Sequence, residues 1–576
     1  MTKSQLLGTS KRELGGILPR KESSTEISVT ERSLENPSPS WWVPPLLAIP
    51  ALIPLISSII FARRHGLVAT GFIEFDQPFY VANARAYFDQ GFHLLYGNPY
   101  AGYDTPRIYF QPHFFLVGSF QQLGLDPGVT WNIFSVLGTL FAAFVAVNFY
   151  REVVGWRSPA QKLGLLCFFW GGGVLVWVGL GFASVTGKLN TAAVLHFDPT
   201  HGWWMLNFGR NLVYGPTEAY YHGIFLLCML FLLRRRFGLA IAFAVLLSIS
   251  HPFTGIESSM IVAAYLVIER IYGDQSVKIA HLAGSVALFL LHVGYYMVFL
   301  NRFAEHRIIR SQLEAPSASP PWLYQPSTFL PALFIVGLLG LASLWRWPGF
   351  RQIIQDPRNR LFLVWFVIVF AITQHYRFMK PIMPIHFAHG YDWMALFFLG
   401  SPLLVAILER LLRIEVSWLR GLALSTFLLF FLSDNIFWFA TFLRPMPSST
   451  TSQAIIITAE QKEVLNWLSR STAPRDMVVT ADAMLGYLVS TYTRVRSWAG
   501  YKGNTPYFKQ RKLETEQAFQ DDIILPAWTT MDVFYVQRSH QDAGWKPPAG
   551  SKEVFRNAGY AVWECPPLGN SSEAQH

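Results

Sequence analysis

Of the 576 residues, 52% are hydrophobic and only 14% carry a charge, where a soluble domain carries about a quarter, so the composition excludes an ordinary soluble globular protein. The net charge of +10 comes from short clusters between apolar runs, such as Arg234-Arg235-Arg236, and not from one basic face, which excludes nucleic acid as the partner. Cys167 and Cys228 lie inside apolar runs and Cys565 is far from both, which excludes a disulfide framework or a zinc cage.

Residues 1–40 are polar, rich in Ser, Glu and Lys, and lack the apolar run of a cleavable signal peptide; they read as a disordered cytoplasmic tail. From Trp42 onward the apolar residues come in runs of about 15 to 22, the length at which a helix rising ~1.5 Å per residue crosses ~30 Å of hydrocarbon. The runs fall at 42–62, 130–150, 163–183, 219–233, 237–250, 254–269, 279–300, 329–345, 361–373, 393–408 and 421–442. They predict a polytopic α-helical membrane protein of about eleven transmembrane helices, with residues 41–447 as the membrane domain.

Basic links at 151–162, 234–236, 346–360 and 409–420 all fall in the cytoplasm under a single threading. Arg63 and Arg64 violate it locally. An odd number of spans then exports the C-terminus, so the N-terminus is expected to be cytoplasmic and residues 448–576 extracytoplasmic. The expected location is a membrane of the bacterial inner-membrane type, or the lumenal face of a eukaryotic equivalent. Residues 111–124, apolar but short and carrying Gln121 and Gln122, are expected to lie on the outer surface.

The external segments are then a large first loop, 63–129, followed by 184–218, a link at His251, 301–328, 374–392 and everything after Leu443. Ten of the fifteen histidines fall in or beside them: His93, His113, His196, His201, His222, His251, His306, His375, His386 and His389. A titratable set gathered at one membrane face is the pattern of a binding or catalytic cleft. From about Ser448 the composition changes to that of a soluble α/β domain, with helical periodicity at 458–471 and strand-like runs at 477–479, 532–536 and 560–563. No internal repeat, phosphate-binding glycine loop or nucleotide fingerprint occurs, which argues against a cytoplasmic nucleotide-sugar donor.

The first loop carries Gly71-Phe72-Ile73-Glu74-Phe75-Asp76-Gln77-Pro78-Phe79-Tyr80, followed by Asn83, Arg85 and Tyr87. Of two carboxylates two residues apart, one suits a general base on an acceptor hydroxyl or amide and the other suits orienting a metal or the acceptor. Asp is also among the commonest helix N-caps and Pro78 suits a first helical turn, so a capping role for Asp76 stands beside the catalytic one. Glu74-Phe75-Asp76, Pro78-Phe79-Tyr80 and Arg85 resemble the E-F-D-P-aromatic-aromatic-x-Y-R signature of oligosaccharyltransferase catalytic subunits, with Gln77 an extra residue before the proline.

More broadly, an acidic motif after the first span, many spans and an exported α/β domain resemble the GT-C superfamily. That superfamily includes protein mannosyltransferases and the lipid A aminoarabinose transferases, which use polyprenyl-phosphate-linked sugars. The architectural likeness covers nearly the whole chain and the motif about fifteen residues. It implies that Asp76, with Glu74 beside it, binds or deprotonates the acceptor, and that Tyr80 and Arg85 contact substrate. The W-W-D-Y-G motif of oligosaccharyltransferases is missing: Trp498-Ala499-Gly500-Tyr501 lacks the acid, and Trp203-Trp204 lies in another loop. Asparagine glycosylation is therefore set aside and the superfamily kept.

In the second external loop, His196, Asp198 and His201 bring three metal-ligating side chains within six residues. They stand as candidate ligands for a divalent cation, Mg or Mn, with a polar interfacial loop as the alternative; no cofactor is certain. A departing polyprenyl phosphate needs positive charge. Arg302, Arg307 and Arg310 in one external loop, and Arg377, Lys380 and His386 in another, are expected to supply it, although interfacial arginines also hold lipid headgroups. The two prolines of Lys380-Pro381-Ile382-Met383-Pro384 fix a loop that also carries His389, Tyr391 and Asp392, with His389 and Asp392 as candidate substrate contacts.

The expected activity is transfer of a hexosyl or pentosyl unit from a polyprenyl-phosphate-linked donor to an acceptor, whether protein, lipid or glycan, at the extracytoplasmic face, with membrane lipids as the other partner. The competing class is a transporter or lipid-handling protein without catalysis, to which the His251-Pro252 break followed by Glu257 is suited.

Overall fold

The computed structural model describes residues 38–89, 91–198, 205–346, 350–443, 454–520, 525, 528, 530–539, 542 and 544–567. The cytoplasmic tail expected over 1–40 lies outside them except for its last residues. Helices occupy every stretch expected to span. Seven are long and apolar enough to cross a membrane: Val43–Arg64, Pro127–Val153, Gly215–Leu233, Ile279–Arg302, Pro326–Trp345, Pro384–Leu412 and Ser417–Phe442. An eighth forms if Pro159–Trp170 and Leu175–Val185, bent by 56° against each other, count as one span. Three further helices complete eleven: Phe237–Ser250, Pro252–Ile271 and Pro357–Thr373. The spans are numbered below in chain order. The chain is an integral, multi-pass membrane protein, and large exposed apolar side chains such as Leu290, Leu291 and Leu341 line its flanks.

Packing shows where these three helices lead. At one face Arg234 lies 2.7 Å from Glu152, Arg235 lies 3.3 Å from Asp274, and Arg360 donates to both oxygens of Glu269 at 2.5 and 2.7 Å. These contacts tie the end of the second span and the links around the fourth, fifth, sixth and ninth into one basic face. At the opposite face His251, between the fifth and sixth spans, stacks on Tyr221 at the start of the fourth (4.4 Å), and His375, after the ninth, packs on Phe387 at the start of the tenth (5.5 Å). The three helices therefore run from face to face, although the 14 residues of Phe237–Ser250 rise only ~21 Å.

Proline at the first turn starts many of the helices, where its missing N–H is no loss, and Asp126 caps the second span through the amides of Gly128 and Val129. The third span departs from the continuous helix expected over 163–183. It breaks at Gly171-Gly172-Gly173, and the amides freed at Gly173, Leu175 and Val176 donate to the Asp434 carboxylate at 2.8, 3.3 and 3.0 Å. An acid thus sits inside the eleventh span, a position the hydropathy pattern left apolar. Pro112–Gln121, 10 residues long, rises only ~15 Å, far short of a crossing.

The C-terminal domain is a five-stranded sheet in the order β4-β3-β5-β7-β6: β3 (Met477–Thr480), β4 (Arg496–Ser497), β5 (Val533–Arg538), β6 (Lys552–Arg556) and β7 (Tyr560–Cys565). β3 runs parallel to β4 and β5, whereas β7 is antiparallel to β5 and β6. β4 and β6 carry too few apolar residues to stand out in the sequence. Two further strands join the domain to the first loop: β1 (Val68–Ala69) pairs antiparallel with β2 (Ile456–Ile457). Beside them the helix Ala483–Tyr492 packs on Gln77–Ala86, and Lys462 lies 2.6 Å from Asp126.

Candidate functional site

The acidic motif forms a turn immediately before the helix Gln77–Ala86, where the first loop meets the C-terminal domain. Gln77 reaches back to accept from the Ile73 amide (2.9 Å), and Glu74 accepts from the Asp76 amide (2.9 Å). Asp76 occupies the N-cap position but makes no capping hydrogen bond. Its carboxylate instead accepts from the Tyr501 hydroxyl at 2.5 Å, across 425 residues of sequence. The capping alternative for Asp76 is thereby overturned. The amide an N-cap would take, that of Phe79, donates to the Tyr487 hydroxyl at 3.2 Å, and this hydroxyl in turn donates to the Phe75 carbonyl. The Tyr501 ring stacks on both Phe79 and Tyr487, and Lys502 lies 5.4 Å over the Phe75 ring.

Burial raises the proton affinity of both carboxylates. Glu74 is held well above the usual range by desolvation and by the nearby charges of Asp76 and Glu218. Asp76 is raised by desolvation, opposed by the Tyr501 hydrogen bond and the Lys502 ammonium. Tyr80 and Tyr214 lie within electrostatic reach of Glu74, Asp76 and Glu218, which links the acidic turn to a second cluster.

That cluster is built on the turn Gly215–Ala219, which opens the fourth span, and on the first residues of the tenth, 384–390. Glu218 lies 2.9 Å from His389. His389 is held in the left-handed region (φ 33°) while its carbonyl accepts from His222 (2.8 Å) and Asn211 (2.9 Å). Bonds of this kind let an uncommon backbone conformation persist in a non-glycine residue. His251 and His386 lie 6.4 and 5.6 Å from the His389 ring, and His386 stacks between Phe253 (4.9 Å) and Trp322 (5.8 Å).

The structure thus brings Glu74, Asp76 and Tyr80 together with His389 and His386 by way of Glu218. Other expected residues stand apart. Arg85 is occupied structurally, 3.1 Å from Asp89 and donating to the Thr491 carbonyl, so it pins the helix to the C-terminal domain. Asp392 accepts from Tyr324 (2.8 Å) and from the Trp393 amide (2.8 Å), which makes it a packing acid at the start of its helix. Arg310 and Lys380 both reach Glu314, at 3.5 and 2.5 Å, so the two cationic loops meet. Arg307 donates to the carbonyls of Asn301 and Arg302, Arg302 is exposed, and Arg377 donates to Gln374.

Two of the three expected metal ligands have other partners. Asp198 is buried against Arg210 at 2.9 Å, and the exposed His196 stacks on Phe182 at 4.5 Å. His201 lies outside the described residues. Among the described residues no group of three His, Cys, Asp or Glu side chains converges to hold an ion.

In the sequence His251 stands out only as a break between apolar runs, Tyr501 only as the end of a run that lacks the motif acid, and Glu218 only as the end of the second external segment. Tyr214, Tyr487 and Lys502 carried no signal of their own, because their roles come from contacts between segments hundreds of residues apart.

No family model matches the chain, and no curated protein matches it. Solved structures are similar over most of its length. The Archaeoglobus fulgidus oligosaccharyltransferase tethered with an acceptor peptide is 13% identical over 87% of this chain and 69% of its own, with a TM-score of 0.45. ArnT from Cupriavidus metallidurans bound to undecaprenyl phosphate is 13% identical over 92% of this chain and 98% of its own, with a TM-score of 0.44; apo ArnT is 14% identical over 91% and 97%, with a TM-score of 0.45.

Proposed function

We propose that the chain is a glycosyltransferase that moves a sugar from a polyprenyl-phosphate-linked donor to an acceptor at the extracytoplasmic face of a membrane of the bacterial inner-membrane type. The observation that carries this reading is the Asp76 carboxylate, released from capping its own helix and set beside Glu74 at the seam between the membrane domain and the C-terminal domain. An ionised carboxylate there has the chemistry to take a proton from an acceptor.

In the proposed reaction the anomeric carbon loses its bond to the phosphate oxygen, which keeps the electron pair, and gains a bond to the acceptor. The acceptor's proton passes to Asp76. The lipid tail is assigned to the space among the spans and the departing phosphate to the cationic loops of Arg302, Arg307, Arg310, Arg377 and Lys380, with His386 as a further candidate contact. His389 and Tyr80 line the sugar side.

The broken third span and the buried Glu257, neither of whose oxygens has a hydrogen-bond partner among the described residues, are features that a transporter also uses. One assay separates the readings: purified protein in liposomes with radiolabelled polyprenyl-phosphate sugars, wild type beside Asp76→Asn and Arg377→Ala, with and without chelator. Donor cleavage that requires Asp76 is the expected result. Donor bound or moved across the bilayer but never cleaved, with every acceptor offered, defeats the enzyme reading in favour of the transporter.

A further inference from the structure

An aspartate that opens a helix normally spends its carboxylate on the amides of the first turn. In this chain the helix Gln77–Ala86 is served differently. Pro78 has no amide to offer, and the Phe79 amide is taken by the Tyr487 hydroxyl at 3.2 Å. Tyr487 stacks on Phe75 (4.8 Å) and donates to its carbonyl, so the borrowed cap is fixed by packing. The carboxylate so freed meets Tyr501 at 2.5 Å, whose ring is clamped between Phe79 (5.0 Å) and Tyr487 (5.1 Å). Gly500 lets this segment come close: a Cβ there would stand 2.7 Å from the Tyr100 ring.

We propose that Tyr487 and Tyr501 of the C-terminal domain are positioning residues for Asp76: Tyr487 replaces it as the helix cap, and Tyr501 aims the carboxylate this releases. The C-terminal domain is then part of the acid site itself. The inference rests on the proposed role of Asp76 for its functional meaning, but its physical content is independent of that role.

The groups facing Asp76 are Glu74 from its own turn, Tyr80 from its helix, Tyr100 from the first loop, Tyr214 from the start of the fourth span, and Tyr487, Tyr501 and Lys502 from the C-terminal domain. Against that fixed background the two hydroxyls act in opposite directions. Loss of the Tyr501 hydroxyl removes a hydrogen bond to the charged carboxylate, so protonation of Asp76 persists to higher pH. Loss of the Tyr487 hydroxyl leaves the Phe79 amide without its partner, and Asp76 returns to capping, where backbone amides favour the ionised form.

The test reads protonation directly and needs no acceptor. Full-length protein in nanodiscs is treated with dicyclohexylcarbodiimide, which attacks protonated carboxyls in apolar surroundings, across a pH series, and labelling of Asp76 is resolved from that of Glu74 by tandem mass spectrometry. Relative to wild type, the Asp76 midpoint is expected to rise by about one pH unit in Tyr501→Phe, a tenfold change in proton affinity, and to fall in Tyr487→Phe. Tyr100→Phe is expected to leave it in place. An unchanged midpoint in Tyr501→Phe overturns the proposal even if Tyr487→Phe fails to fold, and shifts of the same sign in both variants overturn the division of labour. Opposite shifts alongside donor cleavage that ignores Asp76 would leave this inference standing while the enzyme reading falls; coincident midpoints alongside Asp76-dependent cleavage would do the reverse.

Discussion

Two carboxylates two residues apart share a turn, and their neighbours set them to different tasks. Glu74 faces the charges of Asp76 and Glu218, whereas Asp76 has a phenol and an ammonium beside it. Glu74 is therefore raised well above its ordinary range, whereas the rise of Asp76 is opposed by both of these neighbours. Asp76→Asn is expected to lower donor cleavage by about 10²–10⁴-fold, the usual contribution of a general base, while donor binding persists; equal turnover in the two proteins would refute the role. A carboxyl raised in the folded state binds more protons folded than unfolded, so its stability contribution is fully present below the unfolded value and is lost as pH rises through the folded one. Glu74→Gln is accordingly expected to unfold at a higher temperature than wild type at pH 8, with the difference vanishing at about pH 3.5, below the ordinary Glu range, as read by thermal scans in one detergent. The carboxylates themselves were legible, since they form a local motif beside the first span. Tyr501 and Glu218 were not: the first is 425 residues from its partner, and nothing local in either predicts the contact.

At the scale of elements, the third span shows what hydropathy averages away. A run over 163–183 reads as one helix because its break is made of glycines, which are neither polar enough nor long enough to lower the average, although three in succession are a visible weakness. Only the fold shows that Asp434 binds the exposed amides, and that Arg210 joins the same layer through Asn435, Trp438 and the buried Asp198. Arg210→Met leaves Asp198 buried without its cation, and the loss of one partner of such a pair costs about 3–5 kcal/mol. The expected outcome is a sharp fall in the thermal unfolding temperature, with recovery when Asp198→Leu is added; equal instability of the single and double variants would show that the pair itself is not the cause. Close packing limits the break in the same way. A Cβ on Gly173 would lie 2.1 Å from the Pro331 carbonyl, so Gly173→Ala is expected to separate the third span from the eighth and to destabilise the protein with no charge altered.

For the whole molecule the decisive constraint is parity. Pairing of β1 with β2 puts residues 69 and 456 on one side of the membrane, so the chain between them crosses an even number of times. The helices that qualify as spans by length and apolarity, eight with the bent pair, leave seven after the first. The fifth, sixth and ninth helices must therefore add an odd number of crossings. The ninth supplies one, running from Arg360 at the basic face to His375 at the other, and the fifth and sixth form a hairpin that adds two. Basic links read from the sequence reach the same threading because charge, unlike helix length, is not averaged away in a short helix. The buried native cysteines allow a direct test by single-cysteine reporters in a cysteine-free background, at the exposed positions Asp104, Gln275, Glu415 and Lys509. In sealed vesicles a membrane-impermeant maleimide is expected to label the reporters at 104 and 509 together, with those at 275 and 415 reacting only in vesicles of the opposite orientation or after detergent. Labelling of 275 together with 509 would mean that an odd number of the second to sixth helices fail to cross, which the packing of these helices does not allow.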